Sequence, residues 1–251
     1  MRSPGTLSLL AAVLLAACGG DDKGAQTTTV TETVTVPSEA PTVLTVYFLR
    51  DGKVAPVGRS VVTGPAVGAA ALRELLKGPR PDENLETAIP PETELESLTI
   101  EGGVASVDLS KQPPQDDAVA QLVYTLTRFP TVKRVDLGED IKLRRALFEN
   151  ETPAILVESP LPGESVEPGF EVTGTANTFE ATFNYELQDG TGRVLSKDFV
   201  TATSGSGTRG TFSFQVPYEV DEPTDGKLVV FELSAEDGSR INQREIPLRL
   251  E

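Results

Sequence analysis

Histidine and tryptophan do not occur in the 251 residues, and cysteine occurs once, at Cys18. Without histidine, Ser-His-Asp and Cys-His activation and histidine metal sites are excluded in their ordinary forms. A single thiol closes no disulfide within the chain, so stability must come from packing. Only four tyrosines accompany the missing tryptophan, which weakens the expectation of an aromatic-lined ligand pocket. Positive charge is scarce as well: 22 Lys and Arg stand against 38 Asp and Glu, a formal net charge of -16. That balance argues against nucleic acid as a partner, because duplex binding rests on cationic neutralisation of phosphates. The apolar run Leu7 to Ala17 has about 11 residues, short of the roughly 17 to 25 that span a bilayer.

Paired carboxylates remain as a catalytic option, with Asp116, Asp117, Glu139 and Asp140 among many acidic groups. Asp116 and Asp117 are explained by a helix start, and charge runs are ordinarily solvated faces. The turns Asp189-Gly190 and Asp237-Gly238 lack the spaced oxygen ligands of a calcium loop, and phosphate-loop and dinucleotide patterns are absent. The expectation is therefore no enzyme, no catalytic residue, no metal and no cofactor.

What is present begins with the first 18 residues. Arg2, the apolar run, and then Leu15, Ala16, Ala17 and Cys18 resemble a bacterial lipoprotein signal, with residues 1–17 as the signal peptide. The resemblance implies cleavage before Cys18 and diacylglycerol on its thiol, hence a lipid anchor in the cell membrane on the extracytoplasmic side. A catalytic role for the thiol is disfavoured because no base is available to it. Residues 18–41 are rich in Gly, Asp, Thr, Ser and Pro and read as a lipidated flexible tether, with a root-mean-square reach of about 25 to 30 Å.

Residues 42–148 alternate between strand and helix signals. "TVLTVYFLR" is apolar on both faces, as a central strand is. "DGK" marks a turn before "VAPVGRSVV", a partly edge strand because Pro56 lacks a donor. A helix over 65–77 ends at Gly78. Gly102-Gly103 joins two alternating runs as a hairpin, and a second helix begins at Asp116-Asp117 and ends before Pro130. With a late strand at "TVKRVDLG" and a closing segment at "IKLRRALF", the order strand, strand, helix, strand, strand, helix, strand predicts an α+β domain with helices packed on one mixed sheet.

Residues 153–251 show no helical periodicity. Seven alternating runs separated by Gly, Pro, Asp and Ser predict an all-β immunoglobulin-like sandwich, without a cysteine pair or core tryptophan. Phe212, Phe214 and Val216 in one run, and Val229, Phe231 and Leu233 in another, are core candidates.

"LLKGP", "TAIPPETEL", "VASVDLS" and "AQLVYTLTRFPTVKRVDL" resemble the GerMN domain of bacterial sporulation and spore germination proteins. "VESPLPGESVEPGFEVTGTANTFEATFNYELQDGTGRVL", "GTFSFQVPY" and "LVVFELSAEDGS" resemble the immunoglobulin-like domain that accompanies spore germination proteins. The resemblance implies a non-catalytic interaction or assembly module of the cell envelope, related to sporulation or germination. Its implied partners are an envelope protein or peptidoglycan, and assembly with further copies of the chain is left open. A ligand-binding module for a cell-wall glycan or small solute is the alternative, and a carboxylate hydrolase the second alternative. Charge is unevenly placed: residues 42–148 hold 13 basic and 15 acidic side chains, residues 153–251 hold 7 and 17. Within the first stretch Lys133, Arg134, Lys142, Arg144 and Arg145 collect in and beside the last strands. They form a candidate interface for an acidic partner, an anionic wall polymer or the sandwich itself.

Overall fold

Thr42–Arg50 (β1) and Lys53–Val61 (β2) pair in antiparallel register from Thr42↔Val61 to Arg50↔Lys53. The two residues between them, Asp51 and Gly52, both have positive φ, which is the geometry of a tight hairpin turn. The computed structural model describes residues 40–138 and 141–251. Cys18, the signal segment, almost all of the tether, Glu139 and Asp140 lie outside the described residues. After the hairpin come Val67–Leu76 (α1), Leu95–Glu101 (β3), Val104–Leu109 (β4), Asp116–Leu126 (α2) and Arg134–Asp136 (β5). Gly102 and Gly103, both at positive φ, turn β3 into β4.

The element order agrees with the sequence reading, but the strands do not form one sheet. β1 and β2 make a two-stranded ladder, while β3, β4 and β5 make a separate mixed sheet, antiparallel between β3 and β4 and parallel between β4 and β5. Helix α2 is the reason β1 takes no third strand. The Tyr47 amide donates to Thr125 Oγ1 (3.1 Å), and Gln121 Nε2 donates to the Tyr47 carbonyl (3.2 Å). Farther along β1, Leu49 exchanges backbone hydrogen bonds with Glu86, both 2.8 Å. Tyr47 thus directs its backbone groups away from β2, which leaves its partner Pro56 in a position where the missing N–H costs no ladder bond. Gln121 and Thr125 are fully buried, and their hydrogen bonds to β1 are what makes that burial tolerable.

The second half is built of Ile155–Ser159 (β6), Glu164–Val166 (β7), Phe170–Ala176 (β8), Thr182–Asp189 (β9), Val194–Thr201 (β10), Gly210–Val216 (β11), Thr224–Leu233 (β12) and Arg240–Leu250 (β13). They form a five-stranded sheet, β10-β9-β12-β13-β7, and a three-stranded sheet, β11-β8-β6. Eight strands replace the seven expected. The extra one, β7, is three residues long and pairs in parallel with the end of β13, too short to show alternation. The inward faces meet in one apolar cluster that includes Val172, Phe183, Leu187, Phe212, Val216, Leu228 and Val230, with Phe183 edge-on to Phe212 at 4.9 Å between centroids.

The expectation for β12 holds in part: Val229 and Phe231 are buried, but outside the sandwich core. Leu228 and Val230 face the sandwich core, opposite Leu187 and Tyr185, whereas Val229 and Phe231 pair with Glu186 and Asn184 on the outer face. Leu233 is 54% exposed. In "KLVVFEL" both alternate sets are apolar, so period-2 reasoning cannot tell which one faces in.

Strand β6 joins the two halves. Ile155 and Val157 belong to the sandwich core, while Leu156 between them is buried in the core of β1, β2, α1 and α2. Residues 41–251 form one compact unit, and β6 is a wall of both cores. Leu156→Ala removes a side chain from the core of the other half, and urea unfolding should show a loss of about 2–5 kcal/mol. A loss below about 1 kcal/mol would mean that β6 does not bear on the first core.

Candidate interaction surface

Strand β5 is placed by its backbone. The Lys133 and Arg134 amides both donate to the Gly103 carbonyl (2.8 and 3.1 Å), and Val135 exchanges hydrogen bonds with Leu143 (2.9 and 2.7 Å). Val135 is fully buried, so its neighbours Arg134 and Asp136 turn outward. The Lys133 stem lies over Gly103. A side chain on that glycine would meet the stem, and Gly103 is also at positive φ.

The five predicted basic residues do not act together. Lys142 is ion-paired with Asp136 Oδ2, and this hydrogen bond, together with one from the Gly138 amide, holds the Asp136 carboxyl below its ordinary value. Lys133, Arg134 and Arg144 are exposed and, among the described residues, have no ion-pair partner. Arg145 turns inward. It begins the short 3-10 turn Arg145–Leu147, and its guanidinium donates to Thr127 Oγ1 (2.7 Å), to the Tyr124 carbonyl (3.2 Å) and to Glu158 Oε1 (2.7 Å). The same group stands 4.5 Å from the centre of the Tyr124 ring and 5.6 Å from that of Tyr47. Arg145 therefore meets the sandwich of its own chain, through β6, and is removed from any outward-facing strip.

Around Arg145 the junction is polar and satisfied. The fully buried Tyr47 hydroxyl also donates to Glu158 Oε1. Burial, with the nearby Glu158 charge adding to it, pushes the Tyr47 hydroxyl well above its ordinary range, so it remains a donor. Tyr124 and Thr152 share a hydroxyl hydrogen bond of 2.6 Å, and the Thr152 hydroxyl reaches the Phe148 carbonyl at 2.6 Å. A second clamp is bidentate: Arg209 donates to both oxygens of Glu149 at 2.9 Å and to the Pro153 carbonyl at 2.9 Å, while Asn177 Nδ2 donates to Glu149 Oε1 at 2.8 Å. A third, on the rim, pairs Arg244 with Asp51 at 3.0 Å.

Asp116 and Asp117 occupy the first turn of α2, and the Asp117 carboxylate accepts the Ala118 amide at 2.8 Å, the role expected of a helix start. Among the described residues no group of three or more acidic, cysteine or histidine side chains converges as a metal site would require. No helix among them is long and apolar enough to cross a membrane. Sequence reasoning missed Glu158, Glu149, Arg209 and Tyr47 as a set. Their one visible signal is that Glu158 follows "ILV" on the face opposite Val157, a charge placed where a strand should continue its apolar row.

An eight-stranded β-sandwich sharing a strand with a two-helix, five-stranded neighbour defines a two-part, mostly β protein. Residues 45–140 match the family model described as "Sporulation and spore germination". Residues 154–239 match the model described as "Immunoglobulin-like domain of bacterial spore germination". These two models are the families that the sequence of each stretch resembles. No curated protein matches it. Among solved structures it is similar to a candidate lipoprotein from Clostridium perfringens, with 20% identity, 44% of this chain and 83% of that chain covered, and a TM-score of 0.28. It is also similar to CopC from Methylosinus trichosporium OB3b, with 15% identity, 39% and 93% covered, and a TM-score of 0.25. Likenesses with such TM-scores add nothing to the reading of the surface.

Two outcomes follow for the junction. Glu158→Leu leaves the partly buried Arg145 unpaired and should cost about 2–4 kcal/mol in urea unfolding, whereas Glu158→Leu combined with Arg145→Leu should recover part of that loss. Additive losses would show the pair uncoupled. Burial alone would raise the Glu149 carboxyl, but hydrogen bonds from Arg209 and Asn177 outweigh it and hold the group below its ordinary value of 4.5. Because the folded-state value is the lower one, this contribution is full above that ordinary value and is lost as pH falls through the folded one. Stability measured from about pH 6 to about pH 3 should fall less steeply in Glu149→Gln than in the parent; parallel profiles would remove Glu149 from the account.

Proposed function

We propose that this protein is a lipid-anchored, extracytoplasmic lipoprotein that acts as a non-catalytic interaction module of the cell envelope in a sporulation- or germination-related setting. In this reading residues 1–17 direct export, Cys18 carries the lipid, residues 18–41 are the tether, 42–148 are a GerMN-type α+β domain and 153–251 are the immunoglobulin-like domain. The pairing of the two matched germination-type families in one chain is the observation that carries it.

The outward face of the first domain supplies the contact. Lys133, Arg134 and Arg144 stay exposed while Lys142 and Arg145 are drawn into pairs within the chain. In a chain of net charge -16, a cationic strip of this kind favours an acidic envelope protein or the carboxylates of peptidoglycan. Exposed lysine and arginine lose little by pairing with a partner at a rim, and they set encounter rate and orientation more than affinity.

Two experiments test the reading. Cys18→Ala should move the protein from the membrane fraction to the soluble extracytoplasmic fraction, and retention in the membrane would contradict the lipid anchor. Lys133→Glu with Arg134→Glu should reduce crosslinked partner recovered from intact cells by about ten-fold, as expected for loss of roughly 1.4 kcal/mol, while leaving unfolding unchanged. Undiminished recovery would sink the strip as the contact surface.

A further inference from the structure

The five-stranded sheet of the sandwich has an outer face that neither core uses. Its strand register sets up two rows across neighbouring strands. One row is Phe199 on β10, Asn184 on β9 and Phe231 on β12; the next is Lys197, Glu186 and Val229. Neighbouring strands lie about 4.8 Å apart, so the two phenylalanines flank Asn184 at about 9.6 Å from one another along the row. One step further along β12, Leu233 pairs with Arg240 of β13 on the same face.

All of these side chains except the buried Val229 line an open groove of about 470 Å³. Phe199 is 65% exposed and Leu233 54%, while Phe231 is covered by the Arg240 guanidinium, 4.0 Å from its ring centre. Arg240 is itself held by Glu186 Oε1 at 2.6 Å, and Gln188 Nε2 holds the other carboxylate oxygen at 2.9 Å. The half-buried Asn184 amide on the groove floor has no hydrogen-bond partner among the described residues, and Lys197 on the rim has no ion-pair partner among them. The groove thus offers one bare aromatic ring, one bare aliphatic side chain, and between them a fixed guanidinium and an amide able to donate and accept.

We infer that this groove binds a cell-wall glycan strand, with a sugar ring laid against Phe199 and its hydroxyl or N-acetyl groups on Asn184, Arg240 and Lys197. A saccharide has the matching chemistry: apolar C–H faces on a ring whose edges are dense in hydroxyls. A protein partner would ordinarily bury roughly 800 Å² per side around an apolar centre, and here the centre of the patch is a polar floor that separates the two exposed apolar side chains. The platform is preorganised, because strand register and the Glu186–Arg240 pair fix it before a ligand arrives. Phenylalanine does here what tryptophan, absent from the chain, would ordinarily do. The cell-wall source of the glycan rests on the extracytoplasmic setting proposed above, but the groove is separate from the basic strip, so failure of the Lys133 and Arg134 variants leaves it standing.

The test uses the detergent-solubilised full chain with two probes, a β-1,4-linked N-acetylglucosamine oligomer and wall glycan strands stripped of peptide. Saturable binding to at least one, with amide resonances of Asn184, Phe199 and Phe231 shifting on titration, is the expected result. Phe199→Ala, an exposed substitution that leaves the circular dichroism unchanged, should weaken binding about ten-fold or more. Phe179→Ala, which removes another exposed ring at 69% from outside these rows, should leave it unchanged. The inference is overturned by no binding of either probe or by equal binding of Phe199→Ala.

Discussion

Strand β6 faces two ways, and the rest of the molecule is arranged around that constraint. Ile155 and Val157 close the sandwich, Leu156 closes the first core, and Glu158 on the Leu156 side meets Arg145 and Tyr47. A strand that is apolar on both faces has no solvated side to leave free, so the first half of the chain must cover it. A charge at the end of that row must then find a partner, since a carboxylate left alone at such a depth would be strongly disfavoured. Arg145 answers it from the segment that leads directly into β6.

The same arrangement explains what the basic strip becomes. Five cations close in sequence divide by geometry into one that holds the halves together, one that answers Asp136, and three that remain outside. Bidentate or stacked arginine is hard to replace by lysine at the first kind of place and easily replaced at the last. The junction therefore answers to a demand for rigidity that the exposed cations do not share. The outer face of the five-stranded sheet, with its bare aromatic ring at Phe199, belongs to neither.

Much of the fold was legible because local signals agreed with one another. The Asp51-Gly52 and Gly102-Gly103 turns, the stop at Gly78 and the acidic start of α2 each act within a few residues, and each lies where its chemistry indicates. What was hidden depends on residues far apart in the chain. That β1 is completed by Gln121 and Thr125 of α2 rather than by another strand splits the expected single sheet in two. The choice between Leu228 and Val229 as the inward set in β12 depends on which face β9 presents, because both sets are apolar. Arg145 looked like its basic neighbours in sequence, and only the position of Glu158, Tyr47 and Tyr124 separates it from them.

If β6 and its polar junction bind the two halves into one unit, their most protected amides must open together. Native-state hydrogen exchange in increasing urea reads this directly at Val46 in β1 and Leu187 in β9, one buried in each core. The account predicts that both amides merge into a single unfolding isotherm with one free energy and one denaturant dependence. Two isotherms that stay separate in free energy and slope would contradict it, showing two domains that merely touch.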